Sequence, residues 1–447
     1  MILFLAALCC AAWLYLIALH GRFWNSGPVL REDRVPSGAA KVTVVVPARD
    51  EAENIGRSIS SLLAQEYSCE LSVVLVDDNS TDGTAKIAAS LPGQERLTIV
   101  SGQPLPAGWS GKLWAVQQGL MQPAAQRADY ILLTDADIEH APTHVATLVH
   151  EAEASGRDLV SEMVRLHCST SAERALIPAF IFFFQMLYPF AWVADPRRTV
   201  AGAAGGTMLV RRSALDRIDG VRRIRHHLID DCALARQIKS SGGKIWLGHA
   251  ELARSLRVYA EWREVWDMIA RTAYVQLGHS PLILLGCIVG MGLLYVAPLL
   301  STVFGHGLTR GIAAVAWLAM TVAFQPTLRR YGRSPLWAVA LPGIAMFYLG
   351  ATVTSAVRHH MGHGGGWKNR TYPQTPSSNR PCSREADFAV GTAHPECEYK
   401  PGGEQHEPQR TTTKAKTLMK QNNLDTSDLL IQNALLGSDL VIQYKPT

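Results

Sequence analysis

The chain reads as an α/β protein built on a doubly wound, mostly parallel sheet with helices on both faces, joined to a membrane-resident part. Three observations predict this. Apolar, β-branched runs alternate with helical segments between residues 41 and 260. Several of those runs end in carboxylates, above all Tyr130–Glu139 (YILLTDADIE), where the strand-like Tyr130–Leu133 stops at Asp135 and Asp137. Uncharged stretches long enough for bilayer spans open the chain and recur over residues 280–358.

Taken in order, Ile2–Leu19 is uncharged, and its basic neighbours (Arg22, Arg31, Arg34, Lys41) all lie after it. Residues 1–21 therefore read as a retained transmembrane anchor, N-terminus outside, with the chain beyond it in the cytoplasm. Residues 22–40, holding Pro28, Pro36 and Gly38, read as a linker. Val42–Val46 predicts a first strand, Ile55–Leu63 a helix, Leu71–Val76 a second strand, Thr84–Ala89 a helix and Leu97–Val100 a third strand. Tyr130–Leu133, apolar at every position, suits a strand buried on both faces. Ligands of such sheets bind beyond the carboxyl ends of the strands, so the acidic residues there should share one rim. Paired carboxylates suit Mg²⁺ or Mn²⁺; one Asp capping the next helix is the competing reading.

The net charge of +5 is mild and no basic block alternates with aromatics, which argues against a nucleic-acid partner. Eight scattered cysteines without a C-x-x-C pair argue against a zinc site or a disulfide framework and fit a reducing compartment.

Ala175–Ala194 has 20 residues without a charge, broken by Pro178 and Pro189. It reads as an interfacial or re-entrant element with Phe182–Phe184 and Trp192 in lipid, or else as a buried core helix. Residues 261–279, with Trp262, Trp266 and Tyr274 beside Arg263 and Arg271, suit a helix lying in the membrane interface. Three uncharged spans come next, near 281–303, 311–328 and 335–357, and the basic loop Arg329–Arg333 should face the cytoplasm. His359 and His363, four apart at a helix end, read as ordinary helix-end histidines rather than as a metal pair. The tail, 359–447, turns polar and is expected to be largely disordered, with a weak helical pattern at Leu429–Tyr444.

Six motifs in order resemble those of the inverting family-2 glycosyltransferases: VVVPARDEAENI (44–55), VDDNSTDGT (76–84), GKLWAVQQG (111–119), TDAD (134–137), GGTMLVRRSAL (205–215) and IDDCALARQI (229–238). The resemblance implies the GT-A fold over residues 41–260 and a nucleotide-sugar donor, most simply a UDP-sugar. It implies donor contacts at Pro47, Glu51, Asp77, Asp78, Lys112 and Asp135. It also implies metal ligation by Asp137 with Asp135, and a general base in the pair Asp230–Asp231, with Asp231 favoured. N-capping is the other use of that pair, and an exposed lysine the other reading of Lys112. Ser80 and Asp78 could equally serve turn chemistry. Gly205 and Gly206 floor an acceptor site or make a tight turn.

Where some relatives carry Gln-x-x-Arg-Trp, this chain keeps only Arg271, a candidate phosphate contact. GWSGKLWAV, LIDDCALA and RTAYVQL look most like the hopanoid-biosynthesis-associated subgroup, which implies a lipid hydroxyl acceptor and a bacterial-type inner (cytoplasmic) membrane. A processive polysaccharide synthase would need more spans and the complete motif, and an idle scaffold would have lost a metal or base carboxylate.

Overall fold

The computed structural model describes residues 1–30, 32, 40–362, 366–367 and 370–371. The expectations for His363, Leu429–Tyr444 and the rest of the tail lie outside them, as does most of the linker's second half. The described chain begins with α1 (Ile2–Ala18) and enters the sheet domain at β1 (Val42–Ala48), α2 (Ile55–Leu63), β2 (Leu71–Asp77) and α3 (Thr84–Ala89). It continues through β3 (Leu97–Ser101), α4 (Gly111–Leu120), α5 (Pro123–Arg127), β4 (Tyr130–Leu133), β5 (Ile138–His140) and α6 (His144–Ala154). Next come β6 (Leu159–Arg165), α7 (Ser171–Leu187), α8 (Phe190–Ala194), β7 (Met208–Arg211), α9 (Arg212–Arg217), α10 (Asp230–Ser240) and β8 (Ile245–Ser255). The chain goes on through α11 (Trp262–Gln276), α12 (Pro281–Met291), α13 (Ala297–Phe304), α14 (Gly307–Arg330) and α15 (Leu341–His360).

The eight strands run in the order β3-β2-β1-β4-β7-β6-β8-β5. Four pairings are parallel and three antiparallel, so the sheet is more mixed than the strand–helix alternation implied. β7 and β5 are the reason: β7 runs antiparallel to both β4 and β6, and β5 to β8. On β1 the pleat sends Val44 and Val46 to the core under α2, α3 and α6, and Val45 to the core under α4, α5 and α7–α10. Gly119 lets α4 cross close to the sheet, since a Cβ there would strike Val45.

A separate apolar core joins α1, α7, α11, α14 and α15. Three helices among the described residues are long and apolar enough to cross a membrane: Pro281–Phe304, Gly307–Arg330 and Pro335–His360. The N-terminal α1 is shorter, at 17 residues, so the expected N-terminal anchor appears only as a short apolar helix. It is hydrogen-bonded into the trio nonetheless. Pro298 has no N–H to give the carbonyl of Leu294 four residues earlier; a π-helical turn, Gly292–Val296, lies there. Trp13 Nε1 donates to that carbonyl at 2.8 Å, and Cys9 Sγ to the Leu293 carbonyl at 3.0 Å. Nor is the start of the linker free: the His249 N–H donates to the Pro28 carbonyl at 2.8 Å, and Phe23 is buried.

α7 settles how Ala175–Ala194 is used. Ile177 and Ile181 enter the sheet domain's core, while Leu176, Ala179, Phe182 and Met186 enter the membrane helices' core. A helix buried on two sides is apolar all round. Phe182 is fully buried against Phe23 and Phe324, not in lipid. Phe183 packs on Tyr295 and Tyr348, and Trp192 on His20. Pro178 sits inside α7 and Pro189 separates it from α8.

Candidate active site

The loops leaving β1 and β2 are laced together. Asp78 N–H donates to the Ala48 carbonyl at 2.8 Å, and Arg49 donates to the Asp78 carbonyl at 2.5 Å with its guanidinium 3.7 Å from the Asp78 carboxylate. Asp50 and Asn79 take left-handed φ values of 49° and 55°, which these short polar side chains tolerate better than most. The Asp50 N–H donates to Ser80 Oγ at 3.0 Å and its carboxylate accepts from the Thr81 N–H at 2.8 Å, so Ser80 serves loop structure. Glu51 N–H donates to Thr84 Oγ1, and Ala52 N–H to the Asp82 carboxylate. Burial works to raise the Asp82 pKa, but its hydrogen bonds with Thr84 and Ala52 prevail and hold it below the usual value. One oxygen of Asp77, Oδ1, is buried with no hydrogen-bond partner among the described residues.

The centre of the site lies between the carboxyl end of β4 and the N-termini of α4 and α10. Lys112 Nζ stands 2.8 Å from Asp135 Oδ1 and 3.2 Å from Asp230 Oδ2, binding the loop after β4 to the pair that opens α10. Burial alone would lower the Lys112 pKa; Asp135 and Asp230 outweigh it and raise the value, so the side chain is a fixed ammonium. Asp231 accepts from the Gly205 N–H at 2.9 Å and from the Cys232 N–H at 2.7 Å. Burial and then the charge of Asp230 push its pKa up to about 6, against the opposing pull of Lys112 and the two N–H donors. Pro47, Lys112, Asp135, Gly205 and Asp230 line one pocket. The two glycines differ. A Cβ on Gly205 would point at Asp231 and Lys112, into the pocket, whereas one on Gly206 would press on Val164, so Gly206 is a packing requirement.

Asp137 is not among the residues lining that pocket. Its carbonyl accepts from the Leu256 N–H at 2.8 Å, and its charge acts on Tyr259 together with those of Arg257 and Arg271. Arg271 is exposed on α11. Among the described residues no three His, Cys, Asp or Glu side chains are grouped to hold a metal ion by themselves. Two carboxylates one residue apart fit an ion that takes its remaining oxygens from a diphosphate.

A buried polar chain behind the loop after β4 escaped sequence reading. Thr134 Oγ donates to the Gly206 carbonyl at 2.7 Å, so it accepts from His140 Nε2 at 3.1 Å. A neutral His140 then accepts at Nδ1 from His144 Nδ1 at 2.8 Å, and a neutral His144 accepts at Nε2, 2.7 Å from Glu162 Oε2. That direction requires a proton on Glu162. Burial supplies the cause: it pushes Glu162 up to about 8, with Arg330 opposing, and His144 down to about 3. The available signals were the i, i+4 histidines and a glutamate inside the apolar strand LVSEMVR. Arg49 and Asp82 were also missed, because their bonds cross between two loops.

Residues 43–219 match the family described as Glycosyl transferase family 2. These residues form a glycosyltransferase domain. This glycosyltransferase is similar to 4,4'-diaponeurosporenoate glycosyltransferase of Staphylococcus aureus strain USA300, 24% identical over 340 residues, covering 74% of this chain and 88% of that protein. The version from strain bovine RF122 / ET3-1 is 22% identical over 339 residues, with the same shares covered. Among solved structures, a mannosyltransferase from Pyrobaculum calidifontis in complex with GDP-Man and Mn²⁺ superposes with a TM-score of 0.50 at 19% identity, over 80% of this chain and 99% of that one. That likeness shows the fold, which is GT-A.

Proposed function

We propose that this glycosyltransferase is membrane-bound and inverting, and that it moves one sugar from a nucleotide-sugar donor, most simply a UDP-sugar, to a lipid hydroxyl. The observation that carries the reading is the meeting of Lys112, Asp135, Asp230 and Asp231 around Gly205. A bacterial-type inner membrane with a cytoplasmic catalytic domain is inferred from the basic loop Arg329–Arg333 beside that domain. The curated relative is named for diaponeurosporenoate, which supports a lipid-like acceptor; a hopanoid remains the specific candidate on the motif pattern.

Asp77, with its unpartnered buried oxygen, accepts from the donor's base or ribose, helped by Asp78 and Glu51 along the same rim. Pro47 walls the pocket. Lys112 places a positive charge where the departing diphosphate gathers negative charge. Asp135 and Asp137 are the residues to hold Mg²⁺ or Mn²⁺, which when bound supplies Lewis-acid stabilisation of the leaving group. Asp231, held by the Gly205 and Cys232 N–H groups, takes the proton of the acceptor hydroxyl. Attack on the sugar's anomeric carbon opposite the leaving diphosphate inverts its configuration. Gly205 leaves room for the acceptor, and Arg271 offers a charge at the entrance from the membrane.

Incubating membranes that contain the chain with a panel of labelled nucleotide sugars, with and without Mn²⁺, tests the proposal. Label in organic-extractable lipid, abolished in Asp231→Asn, is the expected outcome. Label in insoluble polymer would replace the reading by a processive synthase, and no transfer from any donor by a scaffold.

A further inference from the structure

A second cavity, of about 620 Å³, lies away from the Lys112 cluster between β5, the loop after β6, β8 and the loop after α14. Its size is that of a ligand site. Arg165, Cys168, Arg254 and Tyr331 line it. Tyr331 belongs to the turn beyond α14, one of the three helices fit to cross a membrane, and Arg330 beside it reaches the Ala250 carbonyl of β8 at 2.8 Å. The cavity therefore sits where the catalytic domain meets the end of a membrane span.

Its own lining sets Arg165 and Arg254 against Glu139 and Glu251, but further guanidinium groups stand near its wall. Arg165, Arg174 and Arg333 act together on the half-buried Cys168 in the cavity wall. None of the three forms an ion pair with a described residue, and Arg333 Nε is buried without a hydrogen-bond partner among them. The nearby carboxylates are engaged elsewhere. Glu139 holds Arg57 and Arg254, and Glu251 faces Arg330 at 3.6 Å. Glu173 is fully buried and accepts from His167 and from the N–H groups of Ser169, Thr170 and Tyr259. Guanidinium groups gathered without an ion-pair partner among the described residues, one with its Nε buried, call for an anion with several acceptor oxygens. Basic pockets at the end of a membrane span take that anion from the bilayer.

We propose that this cavity binds the phosphate of an anionic phospholipid, seating the catalytic domain on the membrane surface. The site is separate from sugar transfer and does not depend on the acceptor assigned above.

The full chain, purified in detergent, would be reconstituted into nanodiscs of phosphatidylcholine mixed with phosphatidylglycerol. It would then be re-extracted and its retained lipid quantified by mass spectrometry. Phosphatidylglycerol should be enriched over the bulk mixture. Arg165→Gln with Arg333→Gln should reduce that enrichment about tenfold or more, while Arg165→Lys with Arg333→Lys retains most of it. An unchanged melting temperature of the Gln variant in pure phosphatidylcholine would show that the loss is not misfolding. Should that temperature fall, the Lys variant alone decides. Equal retention of both lipids by the unaltered protein would overturn the proposal, as would enrichment that survives the Gln substitutions. Displacement of the lipid by glycerol 3-phosphate at equal concentration would overturn it in favour of a soluble phosphate ligand.

Discussion

In the proposed mechanism Asp231 has two jobs whose demands oppose each other. As a base it must be ionised, yet burial and Asp230 resist ionisation and raise its pKa to about 6. On the proposed mechanism kcat/KM should rise with pH through about 6 and then level off, and Asp231→Asn should lower kcat by roughly 10²- to 10⁴-fold. The stability effect has the opposite sign. A carboxyl whose folded pKa is raised contributes stability that is complete below its ordinary value of 3.8 and lost as pH rises through about 6. Asp231→Asn should therefore melt higher than the unaltered protein at pH 7, and differential scanning calorimetry in detergent would show it; an equal or lower melting point contradicts the assignment. Lys112→Ala removes the cation between Asp135 and Asp230 and should cost on the order of 10²-fold in kcat/KM. Such pairings were not legible. The six motifs pointed to Lys112, Asp135 and Asp230 separately, but no local pattern states that a lysine and a carboxylate 118 positions apart touch.

At the scale of the element, periodicity decided what could be read. α2 and α3 have the boundaries their sequences suggested, because amphipathic spacing and Gly83 mark them locally. The direction of β7 was not encoded in Met208–Val210, since an apolar run is the same read either way. Ala175–Ala194 misled more sharply. A helix shared by two cores has the hydropathy of a lipid-facing one, and only its neighbours distinguish them. Phe182→Ala should accordingly destabilise by about 3–5 kcal/mol, a cavity effect, where a lipid-facing phenylalanine would show almost none. Melting temperature at constant detergent separates the two.

The Thr134–His140–His144–Glu162 chain has its own pH signature. Stability from protonated Glu162 is complete below its ordinary 4.5 and lost as pH rises through about 8. That from neutral His144 is complete above its ordinary 6.5 and lost as pH falls toward about 3. Glu162→Gln can still donate to His144, so its melting temperature should gain on the unaltered protein between pH 5 and 8 and hold that lead above; a constant offset would refute the protonated glutamate.

Across the whole molecule, catalytic and membrane parts are not separable modules. Half of α7 completes the sheet domain's core and half completes the membrane helices' core. A fragment of residues 41–260 should therefore be insoluble without detergent, exposing Leu176, Phe182 and Met186; a soluble, monomeric fragment by gel filtration would contradict this. Sequence patterning located both parts, since each carries its own period or run length. It could not show that they share a helix, because that depends on which residues of α7 face which neighbour.

The bond from Trp13 to the carbonyl that Pro298 leaves without its helical donor spans 281 positions of chain. On the ribosome the indole is made 281 residues before its acceptor. Until then the helix lacks that partner. Its final seat is fixed late, by a segment made long after it.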